Sequence, residues 1–367
     1  MKNLSLLIVA VFSIIGCNSN DDTITNKEKP LEGFPLPVIE EMYFPTIGSN
    51  SWETKTIQSL NWNQNAVQPL VDYLALKNSK SFIVLVNGRI VLENYFNGHS
   101  QTKTWYWASA GKTSTSTITG IAQQENLLNI NNKVSQYLGT NWTSETLSQE
   151  NLITCRNLLT MTSGISDTFS ANQAVDPASL VYTADAGTRW AYNNVYVKLQ
   201  DVVAQASGTS FTNYFNLKLR DKIGMDGSWF NSGVNSVYSS TTRAMARFGL
   251  LMLNKGKWEN TQILNENYFN QATTTSQNIN QAYGYLWWLN GKSSFQLPQS
   301  QLQIPGSLIP AGASDMFMAL GKNDQKIYVI PSKKMVVIRM GDAADASNAA
   351  LSNFDNDLWI KINALYQ

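Results

Sequence analysis

Histidine is almost missing from this chain: His99 is the only one in 367 residues. Ser-His-Asp and Cys-His relays both need an imidazole, and zinc sites with two or three histidine ligands cannot be assembled without them. His99 itself falls in the polar turn Asn97-Gly98-His99-Ser100, where solvent is its expected surrounding. Cysteine is nearly as scarce. Of the two present, Cys17 lies in an N-terminal leader, which leaves Cys155 alone in the folded part and excludes an internal disulfide. Within NLITCRNLLTMTSG, Cys155 reads as a small buried hydrophobe. No Gly-x-Ser-x-Gly elbow occurs. Charged residues make up only 14% and the net charge is +1, so there is no footprint for nucleic acid. The Gly111-Lys112-Thr113 triplet lacks the glycine of a phosphate loop, because the position five residues before Gly111 holds Tyr106.

An apolar share of 43% describes a globular protein able to bury a substantial core. The first residues stand apart. Lys2 gives a positive start, Leu6 to Ile15 form an apolar run too short to span a bilayer, and Ile14-Ile15-Gly16-Cys17 ends it. This segment, 1–17, resembles a bacterial lipoprotein signal, which implies acylation of Cys17 and anchoring at a membrane of the cell envelope, on its periplasmic side or at the outer-membrane surface. Residues 18–33 are polar and aperiodic, as expected of a flexible tether, and residues 34–367 read as one domain.

Ser81 to Val86 and Arg89 to Tyr95 are strand-like runs joined by Asn87-Gly88, a hairpin signal because both turn positions accept positive φ. Asp315 to Leu320, Gln325 to Ile330 and Met335 to Met340 are three more strands. A closing helix is expected over Asn348 to Tyr366, with Leu351, Phe354, Leu358, Ile362 and Leu365 on one side. Val195 to Ala206 and Thr242 to Leu253 have helical spacing and glycine stops. The expectation is an α+β fold. A central antiparallel sheet is built from both chain ends and flanked by helices, a mainly helical lobe (roughly 120–255) is inserted between its halves, and a cleft lies at the junction.

Ser109-Ala110-Gly111-Lys112 puts a serine and a lysine on adjacent turns of one helix face, so that a neutral amine can take the serine proton without an imidazole. A second copy, Ser100-Gln101-Thr102-Lys103, reads as a polar loop. Only Ser109 opens a run of small residues, Lys112 to Gly120, that lets a helix pack inside a core, with its own N–H free for an oxyanion. For Lys112 to act at neutral pH its pKa must fall by about 3 units, worth about 4 kcal/mol, which burial and a neighbouring cation can provide. Lys322, between two C-terminal strands, is the candidate cation. A tyrosine near two ammonium groups would have a lowered pKa and could share the proton. Tyr-x-Asn occurs at Tyr95, Tyr192, Tyr214 and Tyr268, and Tyr192 is set apart by following the turn Ala186 to Trp190 and preceding a helix. Tyr283, Tyr285, Trp287 and Trp288 fit either cleft walls or core, and Trp287 is the one assigned to the substrate.

Ser109-Ala110-Gly111-Lys112, Tyr192-Asn193-Asn194 and Lys322-Asn323-Asp324, in that order, resemble the three boxes of the serine β-lactamase and D-alanyl-D-alanine peptidase superfamily, nearest its class C and esterase-like branch. The flanking phrases RFGLLMLNKGKW, YGYLWW and QKIYVIPSKKMVVIRMG extend the likeness over about Phe82 to Asp342. The resemblance implies that Ser109 is acylated, that Lys112 and Tyr192 exchange its proton, and that Asn194 orients substrate and Lys112. It further implies an oxyanion hole from the N–H groups of Ser109 and Gln325. The activity implied is hydrolysis of a small ester, amide or peptide without metal or organic cofactor; the alternative is an envelope binding protein that acylates slowly or not at all. The third box departs from the superfamily by ending in Asp324 rather than glycine. With a period of two, Lys322 and Asp324 would share a face, so the carboxylate would neutralise the lysine and disfavour a β-lactam.

Overall fold

The computed structural model describes residues 40–168, 173–345 and 351–366. Cys17 and the tether 18–33 lie outside the described residues. In chain order the elements begin with α1 (Val67–Leu76), β1 (Ser79–Val86), β2 (Arg89–Tyr95), β3 (Trp105–Tyr106) and α2 (Lys112–Gln124). The short helices α3 (Ser135–Leu138), α4 (Leu147–Glu150) and α5 (Cys155–Leu159) follow, then α6 (Lys198–Ser207) and α7 (Phe211–Phe215). Next come β4 (Ser228–Ser232), β5 (Asn235–Ser240), α8 (Thr242–Leu253), β6 (Lys257–Trp258), β7 (Thr261–Gln262) and α9 (Glu266–Ala272). The chain then forms β8 (Trp288–Leu289), β9 (Ser294–Phe295), β10 (Ile304–Pro305), β11 (Phe317–Gly321), β12 (Gln325–Ile330), β13 (Met335–Gly341) and α10 (Asn353–Asn363).

The main sheet is antiparallel, in the order β2-β1-β13-β12-β11-β8, so both chain ends build it. The β1–β2 hairpin turns at Asn87 (φ 49°) and Gly88 (φ 82°), where any side chain on Gly88 would collide with the Tyr43 carbonyl. β12 and β13 are buried along their whole length because helices cover both of their faces, and their apolar stretches Ile327 to Ile330 and Met335 to Ile338 reflect it. Ile327, Val336 and Ile338 face α8, where Gly249 permits an approach so close that a Cβ would sit 2.5 Å from Val336. Their neighbours Lys326, Tyr328 and Arg339 point the other way, toward α10.

Three expectations shift in detail. The helix placed over Val195 to Ala206 is a 3-10 turn at Asn194–Val197 followed by α6, which ends at Gly208 (φ 67°) as its glycine stop requires. The closing helix starts at Asn353, because Ser352 and Asp355 form a capping box there; Phe354, Leu358 and Ile362 are buried as the periodicity indicated. The lobe is less helical than expected. α8 lies on the sheet, and β4 and β5 form a hairpin that pairs with β3 in a separate sheet of order β3-β5-β4. Its Ser/Asn-rich sequence carries little strand signal; tertiary packing of Trp229 on Phe211, Phe215 and Tyr238 makes the hairpin.

Trp287 belongs to the core and not to the cleft. It is fully buried, stacked on Phe248 (centroids 6.0 Å apart, planes at 13°) and edge-on to Phe317 at 5.2 Å. Trp287→Ala should therefore destabilise the fold by about 3–5 kcal/mol, read as a lower denaturation midpoint. Unchanged stability would return this residue to the cleft wall.

Candidate active site

Eleven consecutive residues of α2, Lys112 to Ala122, are buried although seven of them are polar side chains. A buried helix of this composition is tolerable because four of its hydroxyls bond back to carbonyls three or four residues earlier. Thr113 donates to Ala110 O (2.8 Å), Ser114 to Gly111 O (2.7 Å), Thr117 to Thr113 O (3.0 Å) and Thr119 to Thr115 O (2.9 Å). Gly120 leaves room for the Tyr268 ring, whose hydroxyl donates to Ser116 O at 2.9 Å. Tyr268, one of the other three Tyr-x-Asn copies, thus packs the far side of the helix. Tyr95 and Tyr214 donate to Glu93 and Glu125, away from Ser109.

Ser109 sits on a 3-10 turn, Ala108–Gly111, just before α2. Ala108 takes φ +48°, a left-handed conformation rare for a residue with a Cβ and a form of local strain that gathers at functional sites. Against this turn lies the end of β11. A Cβ on Gly321 would be 2.4 Å from Trp107 O and 3.0 Å from Ala110 N, so only glycine lets the strand come this near.

Lys112 Nζ donates to Ser109 Oγ at 3.0 Å. Its pKa is lowered to about 7, and burial is the cause. The rings of Tyr196 and Tyr192 enclose the amine, their centroids 4.1 and 5.1 Å from Nζ. The Lys322 ammonium, expected to act beside burial in this shift, is not a source of it: Lys322 is exposed at the edge of the cleft. Tyr192 also departs from expectation. Burial pushes its phenol up to about 12, against the opposing effect of its hydrogen bond with Ser109, so it is a protonated donor at neutral pH and not a phenolate. Trp288 stacks on the Tyr192 ring at 5.7 Å and Tyr283 meets it edge-on at 6.2 Å, which fixes the phenol in place.

One cleft of about 590 Å³ is lined by Ser109, Lys112, Tyr192, Asn194 and Lys322 together. Asn194 reaches it because Asn193 anchors the preceding turn, donating to Ile165 O (3.1 Å) and accepting from Val195 N (3.3 Å). Tyr196 and Tyr106 line the same cleft and escaped sequence reasoning. Tyr196 lies on the 3-10 turn Asn194–Val197, and no helical period links it to Tyr192, which precedes that turn outside any helix. Tyr106 accepts a 2.7 Å hydrogen bond from Asn323 Nδ2, a contact between distant segments with no local signal.

Asp324 and Gln325 do not line the cleft. Lys322–Asp324 is a tight turn with φ +59° at both Asn323 and Asp324, so the strand period does not apply and Asp324 swings beneath the sheet. There its buried carboxylate pairs with Lys326 Nζ (3.1 Å) and accepts from Ala344 N (3.0 Å) and Ser352 Oγ (3.2 Å). It neither neutralises Lys322 nor meets a substrate. The Gln325 side chain ties the turn to β13, donating to Asn323 O (2.8 Å) and Gly341 O (2.6 Å) and accepting from Gly341 N (3.1 Å). Its backbone is paired opposite Gly321 in the β11–β12 ladder. The Asp324 carboxylate, expected to face Lys322, and the Gln325 side-chain amide are structural supports of the turn that carries Lys322.

Residues 77–341 match the family model described as Beta-lactamase. Among solved structures, the chain is similar to a protein from Bacillus anthracis assigned as a 6-aminohexanoate-dimer hydrolase, with 20% identity, a TM-score of 0.65, and coverage of 86% of this chain and 89% of that one. It is also similar to a penicillin-binding protein from Bacillus halodurans (15% identity, TM-score 0.60, coverage 81% and 100%). A point mutant of a class C beta-lactamase is a third such structure (17% identity, TM-score 0.61, coverage 80% and 96%). A search of curated protein sequences finds no match.

The buried amine also makes stability depend on pH. Its pKa is about 7 in the folded chain and near its ordinary 10.5 once unfolded, so unfolding takes up a proton between those values. This contribution therefore destabilises the fold fully below about pH 7, by roughly 4–5 kcal/mol, and disappears as pH rises to about 10.5. Relative to wild type, Lys112→Met should be several kcal/mol more favourable at pH 6 than at pH 10 in urea unfolding. Parallel pH dependence of the two proteins would contradict the depressed pKa.

Proposed function

The chain belongs to the Beta-lactamase family, and from that premise we propose that it is a serine hydrolase cleaving an ester or amide bond through an acyl-serine at Ser109. The observation that carries this reading is the 3.0 Å hydrogen bond from Lys112 to Ser109 in a site where burial brings the amine to about pKa 7. A base with that pKa is half deprotonated at the working pH, near the optimum for proton transfer.

In the first half-reaction neutral Lys112 takes the Ser109 proton as Oγ bonds to the substrate carbonyl carbon, and the carbonyl oxygen becomes an oxyanion. One donor to it is the Ser109 N–H. We assign the other to the backbone N–H of Lys322, since Gly321 brings that stretch against the nucleophile turn whereas Gln325 is paired in the ladder. Collapse breaks the bond to the leaving oxygen or nitrogen. The Tyr192 phenol protonates that atom and is reprotonated by the Lys112 ammonium, so that the acyl-serine forms with Lys112 neutral again. In the second half-reaction water attacks the acyl carbon, Lys112 receives the water proton, and its return to Ser109 Oγ releases the acid.

The likeness to a protein assigned as a 6-aminohexanoate-dimer hydrolase supports amides beside esters as substrates. β-Lactams fit less well, for a steric reason and not the electrostatic one first expected. The backbone leaves extended geometry directly after Gly321, and a turn replaces the flat strand edge along which such a ring would lie. The leader ending in Gly16-Cys17 supports export and lipid anchoring at the cell envelope.

A fluorophosphonate probe tests the assignment. Wild type should label, Ser109→Ala should not, and Tyr192→Phe should lower kcat on a short-chain ester by roughly 10²–10⁴-fold. Labelling that persists in Ser109→Ala removes the nucleophile, and absence of labelling in both favours a binding protein. D-amino-acid peptides and a chromogenic β-lactam, assayed beside the esters, rank the substrate classes.

A further inference from the structure

We infer that the β4–β5 hairpin is the wall that selects substrates, and that it selects an apolar group of several carbons beside the scissile bond. This inference rests on the acyl-serine reading of the same cleft. Trp229 and Phe230 are neighbours on β4, so their side chains leave by opposite faces. Trp229 turns inward to meet Phe211, Phe215 and Tyr238 at 5.2–5.3 Å. Phe230 therefore turns outward, where it is 44% exposed and lines the cleft. Directly across the ladder from it stands Val237, and Val234 occupies the two-residue turn between Ser232 and Asn235; both also line the cleft.

A lone exposed phenylalanine needs no explanation. Three apolar side chains from one hairpin facing the nucleophile are a different matter. Hairpin turns ordinarily carry polar residues, and this one places valine beside glycine at its tip. Pro298 lines the cleft as well, adding an apolar surface from a separate segment. The wall is also held in register with the chemistry. β5 pairs with β3 through Tyr106 and Ser239, and β3 leads within three residues to Ser109. An aliphatic or aromatic substituent lying against Phe230, Val234 and Val237 would leave water while its carbonyl stays beside Ser109.

The test is a series of p-nitrophenyl esters, acetate to octanoate, on wild type and Phe230→Ala. In wild type kcat/KM should rise about fourfold per added methylene until the wall is covered. Phe230→Ala should cut the octanoate-to-acetate ratio by roughly tenfold, because an octanoyl chain lies along the wall and an acetyl group is too short to do so. A flat series in wild type, or an equal loss at every chain length, overturns the inference while leaving the hydrolase intact. If no ester is turned over, the acyl-serine reading fails on this class and the wall is tested by binding. Saturable 8-anilinonaphthalene-1-sulfonate fluorescence with Ser109→Ala, lost in the Ser109→Ala/Phe230→Ala double variant, upholds it, and fluorescence indifferent to Phe230 refutes it.

Discussion

The desolvation of one amine, Lys112, is the constraint on which the rest of this site depends. Its neighbours pull in opposite directions. Two tyrosine rings within about 5 Å favour the ammonium form, at roughly 0.5–2 kcal/mol for such contacts. Burial favours the neutral form, and lowering the pKa from 10.5 to about 7 corresponds to roughly 5 kcal/mol. Burial wins. The rings therefore serve less as partners of a cation than as walls that exclude water while leaving Nζ aimed at Ser109. The same burial that favours neutral Lys112 keeps the Tyr192 phenol protonated, so the proposed reaction has a proton acceptor and a proton donor without any histidine.

Burying a polar helix and a charged turn creates obligations elsewhere in the fold. α2 meets most of them by hydroxyls of Thr113, Ser114, Thr117 and Thr119 that return to nearby carbonyls, and Gln200 on α6 donates to the Thr115 hydroxyl at 3.1 Å. The turn at Lys322 meets them through charges on the opposite face of the sheet. Lys326 bridges Asp324 (3.1 Å) and Asp355 (2.9 Å), Tyr328 donates to Asp355 (2.6 Å), and Arg339 donates to the carbonyls of Asn323 (2.9 Å) and Asp324 (3.1 Å). Every charge in this group has a partner, which is the condition under which buried ions are tolerated. The closing helix contributes Asp355 and the cap residue Ser352, so the C-terminal end of the chain helps hold the turn that lines the cleft.

The sequence displayed the sheet strands plainly because β12 and β13 are covered on both faces and hold the apolar stretches Ile327 to Ile330 and Met335 to Ile338. It displayed Ser109, Lys112, Tyr192 and Asn194 because their chemistry is set by local spacing and a small number of residue types. Asp324 and Trp287 misled for a common reason: each was assigned a direction from strand alternation or composition, and each direction is decided by tertiary contacts. Two positive-φ residues turned Asp324 under the sheet, and the facing Phe248 drew Trp287 into the core. Gln325 was named through the resemblance alone, for its backbone N–H, and its place opposite Gly321 in the ladder follows from the tight turn before it. The β4–β5 hairpin was illegible because its polar sequence becomes strand only when Trp229 finds its aromatic neighbours in the lobe.

The most direct test of the central claim is the rate of Ser109 acylation measured across pH 5 to 10. If a buried neutral lysine is the base, the rate is lost as pH falls through about 7, levels off above it, and is abolished at every pH in Lys112→Arg. A rate that keeps climbing to an inflection near the ordinary lysine value, or one that survives in Lys112→Arg with the same profile, would contradict the account.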